Sequence, residues 1–344
     1  MPGLFGRSKK KPDQQVACFL AVCDAYLNSI QDEKFDKKAF KKFDKYNKRM
    51  LEIMGGKCKK CPNTPENMTI IAAEFGKEGE ILSRLLVCIN EFPPEFKKQL
   101  LDIFGELFAL NTYPNPLAES FDPHVDNTVE KLMDNFEEPG MSATAAKIVK
   151  MMCGKLELSD HFLTIEFFKV LAGYGLNSNF EISSEALSLM QEILLPKDKK
   201  LQEKVSEFLN QNKAEVMEVF MNLFDEENYL VKREGMSFLQ QILLDSKNNI
   251  DFYNYFVSEK NHLKFVMQSL NDDSTSINVE AFSLLMIFLK APEESRGPRV
   301  NETLRKNRDP LLQFIEDFNP NPDKEDEYFN KQKEEAKDEI EMIS

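Results

Sequence analysis

The spacing with the most chemical potential is Cys58-Lys59-Lys60-Cys61. Two thiols three residues apart have the layout of a zinc knuckle. Flanking lysines favour the thiolate, the form that binds metal or attacks a disulfide. A tetrahedral site needs two more ligands, and the sequence offers no second C-x-x-C and no paired histidines. The pair reads as two incidental thiols in a Gly-Gly-Lys loop, with metal binding and a redox switch as the competing readings. The three histidines, His124, His161 and His262, fall in separate predicted segments. No H-E-x-x-H, G-x-S-x-G, G-x-x-x-x-G-K-[ST] or G-x-G-x-x-G occurs. The acidic pairs Glu226-Glu227 and Asp272-Asp273 sit in connectors, where solvated helix caps explain them better than acid–base work. The sequence therefore predicts no catalytic residues, no metal and no cofactor.

What would position any functional side chain here is a set of helices. In residues 35–54, Phe35, Ala39, Phe40, Phe43, Tyr46, Met50, Leu51 and Met54 recur mostly at three- and four-residue steps, which is one apolar helix stripe. Lys37, Lys38, Lys41, Lys42, Lys45 and Lys48 surround it. Thr64-Pro65-Glu66 is a helix start: a capping hydroxyl, proline in the first turn, then an acid at the positive end of the dipole. Pro93-Pro94-Glu95 opens another helix. Further helical patterns cover residues 122–136, 140–153, 159–173, 181–195, 198–210, 212–224, 229–244, 250–257, 260–271, 275–290 and 300–318. Glycine, proline and Asn/Asp clusters separate them, and no alternating strand pattern appears.

Three of these segments align without gaps. They are FEISSEALSLMQEILL from Phe180, YLVKREGMSFLQQILL from Tyr229 and TSINVEAFSLLMIFLK from Thr275. Ile182, Val231 and Ile277 correspond, as do small Ala186, Gly235 and Ala281, then Met190, Leu239 and Leu285, then Leu194, Leu243 and Leu289. A weaker copy starts at Met141. The small residue lets a neighbouring helix come close. Offsets of 49 and 46 residues fit armadillo and HEAT arrays, whose repeats run to about 40–47 residues. The expected fold is thus an all-α armadillo/HEAT-like helical-repeat solenoid forming a curved rod. It would have a basic flexible segment over residues 1–12, a single solenoid of six or seven repeats over 13–318, and an acidic tail over 319–344.

Composition narrows the function classes. The 344 residues carry a net charge of −14, which opposes general nucleic-acid binding. The charge is uneven: residues 1–60 hold 15 Lys/Arg and seven Asp/Glu, a net of +8, leaving −22 for the rest. That basic end suits an acidic partner or an anionic membrane surface, or is simply a solvated face. The longest apolar run, residues 16–23, is far too short to span a bilayer and has no cleavage site after it. Six cysteines in a chain this long do not make a disulfide scaffold, so a reduced, cytoplasmic setting is expected.

The repeats also carry a resemblance. The stretch over residues 226–245, with Asn228-Tyr229-x-x-Lys232-Arg233, and the stretch over 261–292, with Val279-Glu280-Ala281-Phe282, resemble the mouse-protein-25 family, also called calcium-binding protein 39. The opening MPGLFGRSKKKP and the tail segment Asp326-Glu327-Tyr328-Phe329 are similar to that family's ends. No EF-hand loop accompanies the name. The resemblance implies a non-catalytic scaffold, monomeric alone, that binds and activates a germinal-centre-type Ser/Thr kinase or pseudokinase in signalling and cell polarity. It implies two contact regions. One is a kinase-domain surface with Tyr229, Arg233, Lys306 and Asn307. The other is a pocket at Met267, with Leu263 and Leu270 a turn away, for a partner's aromatic-acid-aromatic C-terminal tail. Where the family often has a basic residue, an arginine and an aromatic, this chain has Ser237, Ser246 and Asn249. A general armadillo-type adaptor without a kinase is the alternative, and a Cys58/Cys61-dependent enzyme a third reading.

Overall fold

The computed structural model describes residues 11–31, 37–59, 61–224, 228–245, 247–319 and 327–343, and every regular element among them is helical. Residues 1–10, Lys60, Glu226, Glu227, Ser246 and Asp326 lie outside the described residues. The chain divides into two compact units, Met1–Leu163 and Thr164–Ser344.

The first unit contains α1 (Pro12–Gln31), α2 (Lys37–Met54), α3 (Pro65–Lys77), α4 (Gly79–Val87), α5 (Pro94–Phe108), α6 (Pro116–Phe121), α7 (Val125–Asp134) and α8 (Ser142–Cys153). The stripe of α2 is buried as its periodicity requires: Phe43, Met50, Ile53 and Met54 are in the core. There Phe43 stacks on Tyr26 of α1 with ring centroids 5.1 Å apart. Thr64 caps α3, its hydroxyl accepting from the Asn67 N–H at 3.3 Å. At the other end of α3 a Cβ on Gly76 would lie 2.3 Å from Ser120 Cβ and 3.0 Å from the Leu117 carbonyl, so only glycine lets α3 and α6 cross this closely. Cys58 and Cys61 are both buried, and the Cys61 N–H donates to Cys58 Sγ at 3.2 Å. Burial, then the neighbouring Cys58, pushes the Cys61 thiol up in pKa, away from reactivity.

The second unit contains α9 (Ile165–Gly175), α10 (Phe180–Leu194), α11 (Lys199–Gln211), α12 (Lys213–Phe224), α13 (Tyr229–Leu244), α14 (Ile250–Ser258), α15 (Lys260–Ser269), α16 (Thr275–Lys290), α17 (Pro298–Lys306), α18 (Arg308–Asp317) and α19 (Glu327–Glu341). The three aligned segments are the three helices α10, α13 and α16, each starting at the first residue of its segment. Their matched apolar positions are all buried, and so are Ala186, Gly235 and Ala281. A Cβ on Gly235 would meet the Phe224 ring at 3.1 Å, which explains the small residue at that register. The expected helix over 300–318 is two helices. Asn307 ends α17, and Pro310, lacking an N–H, is accommodated in the first turn of α18.

The acidic tail is packed in part against the second unit. Its helix α19 buries Ala336 and Ile340 four residues apart, and Phe329 packs against Phe282 of α16 and Phe318. Lys290 meets Glu335 at 2.7 Å, and Arg308 donates to the Glu341 carbonyl at 3.0 Å.

A single device joins successive helices in both units. The last carbonyls of an α-helix have no partner inside it. Here a polar side chain at the start of the next element supplies one. Asn63 donates to the Met54 carbonyl ending α2, and Ser183 to the Gly175 carbonyl ending α9 at 2.6 Å. Asn249 reaches the Ile242 carbonyl near the end of α13, and Asn278 reaches the Ser269 and Leu270 carbonyls ending α15. Asn301 reaches the Glu293 and Arg296 carbonyls before α17. Asn115 is the most elaborate case: it donates to the Leu107, Phe108 and Leu110 carbonyls while its Oδ1 accepts from the Leu117 and Ala118 N–H groups of α6.

The histidines take structural places. His262 is buried, stacks on Phe256 and shares a 3.0 Å hydrogen bond with the Phe256 carbonyl. His124 lies against Phe121. His161 sits between two carboxylates, Nδ1 2.7 Å from Asp126 and Nε2 2.9 Å from Asp122. Burial of this ring opposes a proton, but the two carboxylates outweigh it and raise the pKa above the ordinary histidine value. The protonated clamp therefore stabilises the fold fully below pH of about 6.5, and this contribution fades as pH rises through the raised native value. Urea midpoints of the parent and His161→Gln, measured across that range, should differ most at low pH and converge at high pH. A gap independent of pH would contradict the clamp.

Candidate partner-binding surface

Helices α10, α13 and α16 pack in succession in the second unit, and α12 and α15 lie behind them. Asn228 starts α13: its side chain accepts from the Leu230 N–H at 3.1 Å, the usual N-cap contact. This cap sets Tyr229 as the first helical residue, with its ring half exposed (51%). Phe180 occupies the same register at the start of α10 and is 67% exposed. Two large aromatic side chains left in solvent at equivalent positions of neighbouring helices are the kind of anchor that dominates protein interfaces.

Between α10 and α13 runs a cavity of about 290 Å³ lined by Phe180, Ser184, Leu187, Leu230, Glu234 and Phe238, among others. Arg233 lies one turn after Tyr229 and is partly exposed. Its charge acts on Glu280 of α16. Burial pushes the Glu280 carboxyl up in pKa, Arg233 draws it back, and Glu234 adds to the rise. Lys232, next to Arg233, has a different role. It forms a 2.8 Å ion pair with Asp272 in the turn before α16. Desolvation of Asp272 raises its pKa, but Lys232 and the Ser274 N–H outweigh it and hold the carboxyl below its ordinary value. In the motif Asn228-Tyr229-x-x-Lys232-Arg233, Asn228 and Lys232 thus build the helix and its anchorage. Tyr229 and Arg233 are left to face outward.

The other expected site residues are placed differently. Met267 is partly exposed on α15, whereas Leu263 and Leu270 are buried at 0% and 4%. They belong to the core beneath Met267 and do not form an open wall beside it. Lys306 is exposed and pairs with Glu302 at 2.6 Å; Asn307 donates to the Thr303 carbonyl at 2.8 Å and closes α17. That helix packs on α14, α15 and α18. Tyr229 and Arg233 therefore share one turn of one helix, while Met267 and the Lys306–Asn307 corner occupy other helices. Phe180 was not singled out from sequence, although the alignment carries its signal: it is the only other aromatic at the first position of the repeat.

Among the described residues no cluster of three His, Cys, Asp or Glu could hold a metal ion, and no helix is long and apolar enough to cross a membrane. The succession of packed helices defines the class first: an all-helical repeat protein. The chain belongs to the Mo25-like family, whose model matches residues 3–344. It is 28% identical over 321 residues to a calcium-binding protein 39-like protein of Homo sapiens, covering 92% of this chain and 90% of that one. It is 27% identical over 334 residues to a Mo25-like protein of Schizosaccharomyces pombe, covering 96% of each. Among solved structures, a designed armadillo repeat protein aligns over 81% of this chain and 100% of its own, with a TM-score of 0.40 and 11% identity.

Proposed function

We propose that this chain is a non-catalytic scaffold that binds a germinal-centre-type Ser/Thr kinase or pseudokinase and holds it in its active conformation. It would act in the cytoplasm, in signalling that governs cell polarity or morphogenesis. Membership of the Mo25-like family supports the scaffold part. The single observation that carries the kinase reading is the pair Tyr229 and Arg233 on one turn of α13, with exposed Phe180 at the same register of the adjacent α10. The aromatics supply stiff contact area, and Arg233 supplies a charged fork for a carboxylate.

Activation needs no chemistry from the scaffold. A surface that binds only the active conformer shifts the kinase equilibrium by its differential affinity. About 5.5 kcal/mol of difference carries a kinase from roughly 1% to roughly 99% active. Met267 would receive the partner's aromatic-acid-aromatic tail, a soft side chain suited to an adaptable pocket.

The test starts from affinity purification of the tagged chain from its own cells, with mass spectrometry of what remains bound. Arg233→Ala and Met267→Ala should each weaken the recovered kinase's affinity about tenfold or more, with normal melting curves. Unchanged affinity in both variants would sink the site assignment. A partner list without kinases would leave only a general helical-repeat adaptor.

A further inference from the structure

The exposed side of α2 is a field of lysines with no role in the kinase reading. Lys37, Lys38, Lys41, Lys42, Lys45 and Lys48 are all solvent-exposed. Lys48 pairs with Asp44 at 2.9 Å, while Lys37, Lys41, Lys42 and Lys45 make no ion pair among the described residues. At 1.5 Å and 100° per residue, the six ammonium stems cover about 17 Å of helix and about 140° of its circumference. Exposed Lys57 and Lys59 follow α2, and residues 1–60 hold a net of +8 in a chain of net −14. The excess is therefore local, and opposite in sign to the rest of the molecule.

The surroundings define the partner. The apolar stripe of α2 is already used: Phe43, Met50 and Ile53 are buried against the rest of the unit, so this helix has no free hydrophobic face to insert into lipid or into a peptide-binding protein. Among the described residues 11–31 and 37–59, no large hydrophobic side chain is exposed. A protein interface without an apolar anchor lacks the usual source of its affinity. The patch uses lysine where bidentate recognition would call for arginine, and the ammonium is a hydrated point charge with no fixed direction. A broad, non-directional and predominantly cationic patch, whose acids Asp44 and Glu52 are paired with Lys48 and Arg49, matches a plane of diffuse negative charge. We propose that the α2 face is a peripheral docking surface for anionic bilayers. It would hold the first unit against the headgroups by electrostatics alone, without insertion. This inference is independent of the kinase reading.

Vesicle co-sedimentation with the full chain tests it, using phosphatidylcholine vesicles with and without phosphatidylserine. Binding should require phosphatidylserine and disappear near 1 M salt, where the Debye length falls to about 3 Å. The Lys41→Ala, Lys42→Ala, Lys45→Ala variant should lose about 100-fold in partition coefficient, from about fivefold per lysine near an anionic surface. These side chains are exposed and alanine is the better helix former, so the variant should fold. Lys197→Ala with Lys199→Ala, exposed at the start of α11, is the control and should bind as the parent does. Equal binding to both vesicle types, no binding, or full binding by the triple variant would each overturn the proposal. Salt-sensitive binding of a nucleic-acid duplex through the same lysines, with no vesicle binding, would overturn it in favour of that polyanion.

Discussion

Alanine at both Phe180 and Tyr229 should lower affinity for the proposed kinase partner by about a thousandfold, and should abolish its activation at concentrations where the parent saturates. Each ring is a candidate hot spot of about 2 kcal/mol, roughly 30-fold in affinity, and they stand at the same register of adjacent helices. Coupling between neighbours would move the double variant away from the product of the singles. Both rings are more than half exposed, so the free protein should lose only about 0.5 kcal/mol of stability. Calorimetric titration of the singles and the double, beside thermal melts, separates the two effects. Full affinity in the double variant would show that this face is not where the partner sits.

Asn115→Ala should be the most damaging polar substitution in the first unit, costing about 3–4 kcal/mol. The side chain is 1% exposed, and its amide ties the end of α5 to the start of α6. Removing it takes away an N-cap, worth about 1 kcal/mol. It also leaves buried backbone donors and acceptors short of partners at about 1–3 kcal/mol each, with relaxation and water recovering part. Asn115→Asp keeps the acceptor that caps α6 but loses the donor to the α5 carbonyls, so it should fall between the parent and alanine. Denaturant midpoints of the three proteins decide it. An alanine variant within about 1 kcal/mol of the parent would show that water replaces the amide.

The helical-repeat architecture was legible because several local signals agreed. Thr64 and Pro65 marked a helix start that the structure reproduces, and the apolar period over 35–54 became the buried stripe of α2. The gapless alignment found α10, α13 and α16 to the residue, since a small side chain at a close helix crossing cannot drift in register. The site was less legible for a geometric reason. On a helix, residues three and four apart share a face, so Leu263, Met267 and Leu270 looked like one wall. In fact Leu263, Val266 and Leu270 form the core stripe and Met267 stands at its edge. Pro310 was a readable stop within the run over 300–318 that the strong apolar period obscured. The burial of Ala336 and Ile340 was hidden by the acids around them.

The asparagine and serine ties between successive helices bear on how this chain comes apart. Each spans only five to nine residues of sequence. A junction held this locally can close without waiting for a distant segment, so folding can begin at several helix pairs and spread to their neighbours. Pulled from its ends, such a molecule should yield in a series of small, unequal steps, each the release of one or two helices. The order of those steps would rank the junctions by strength, with the Asn115 junction among the last to give way in its unit.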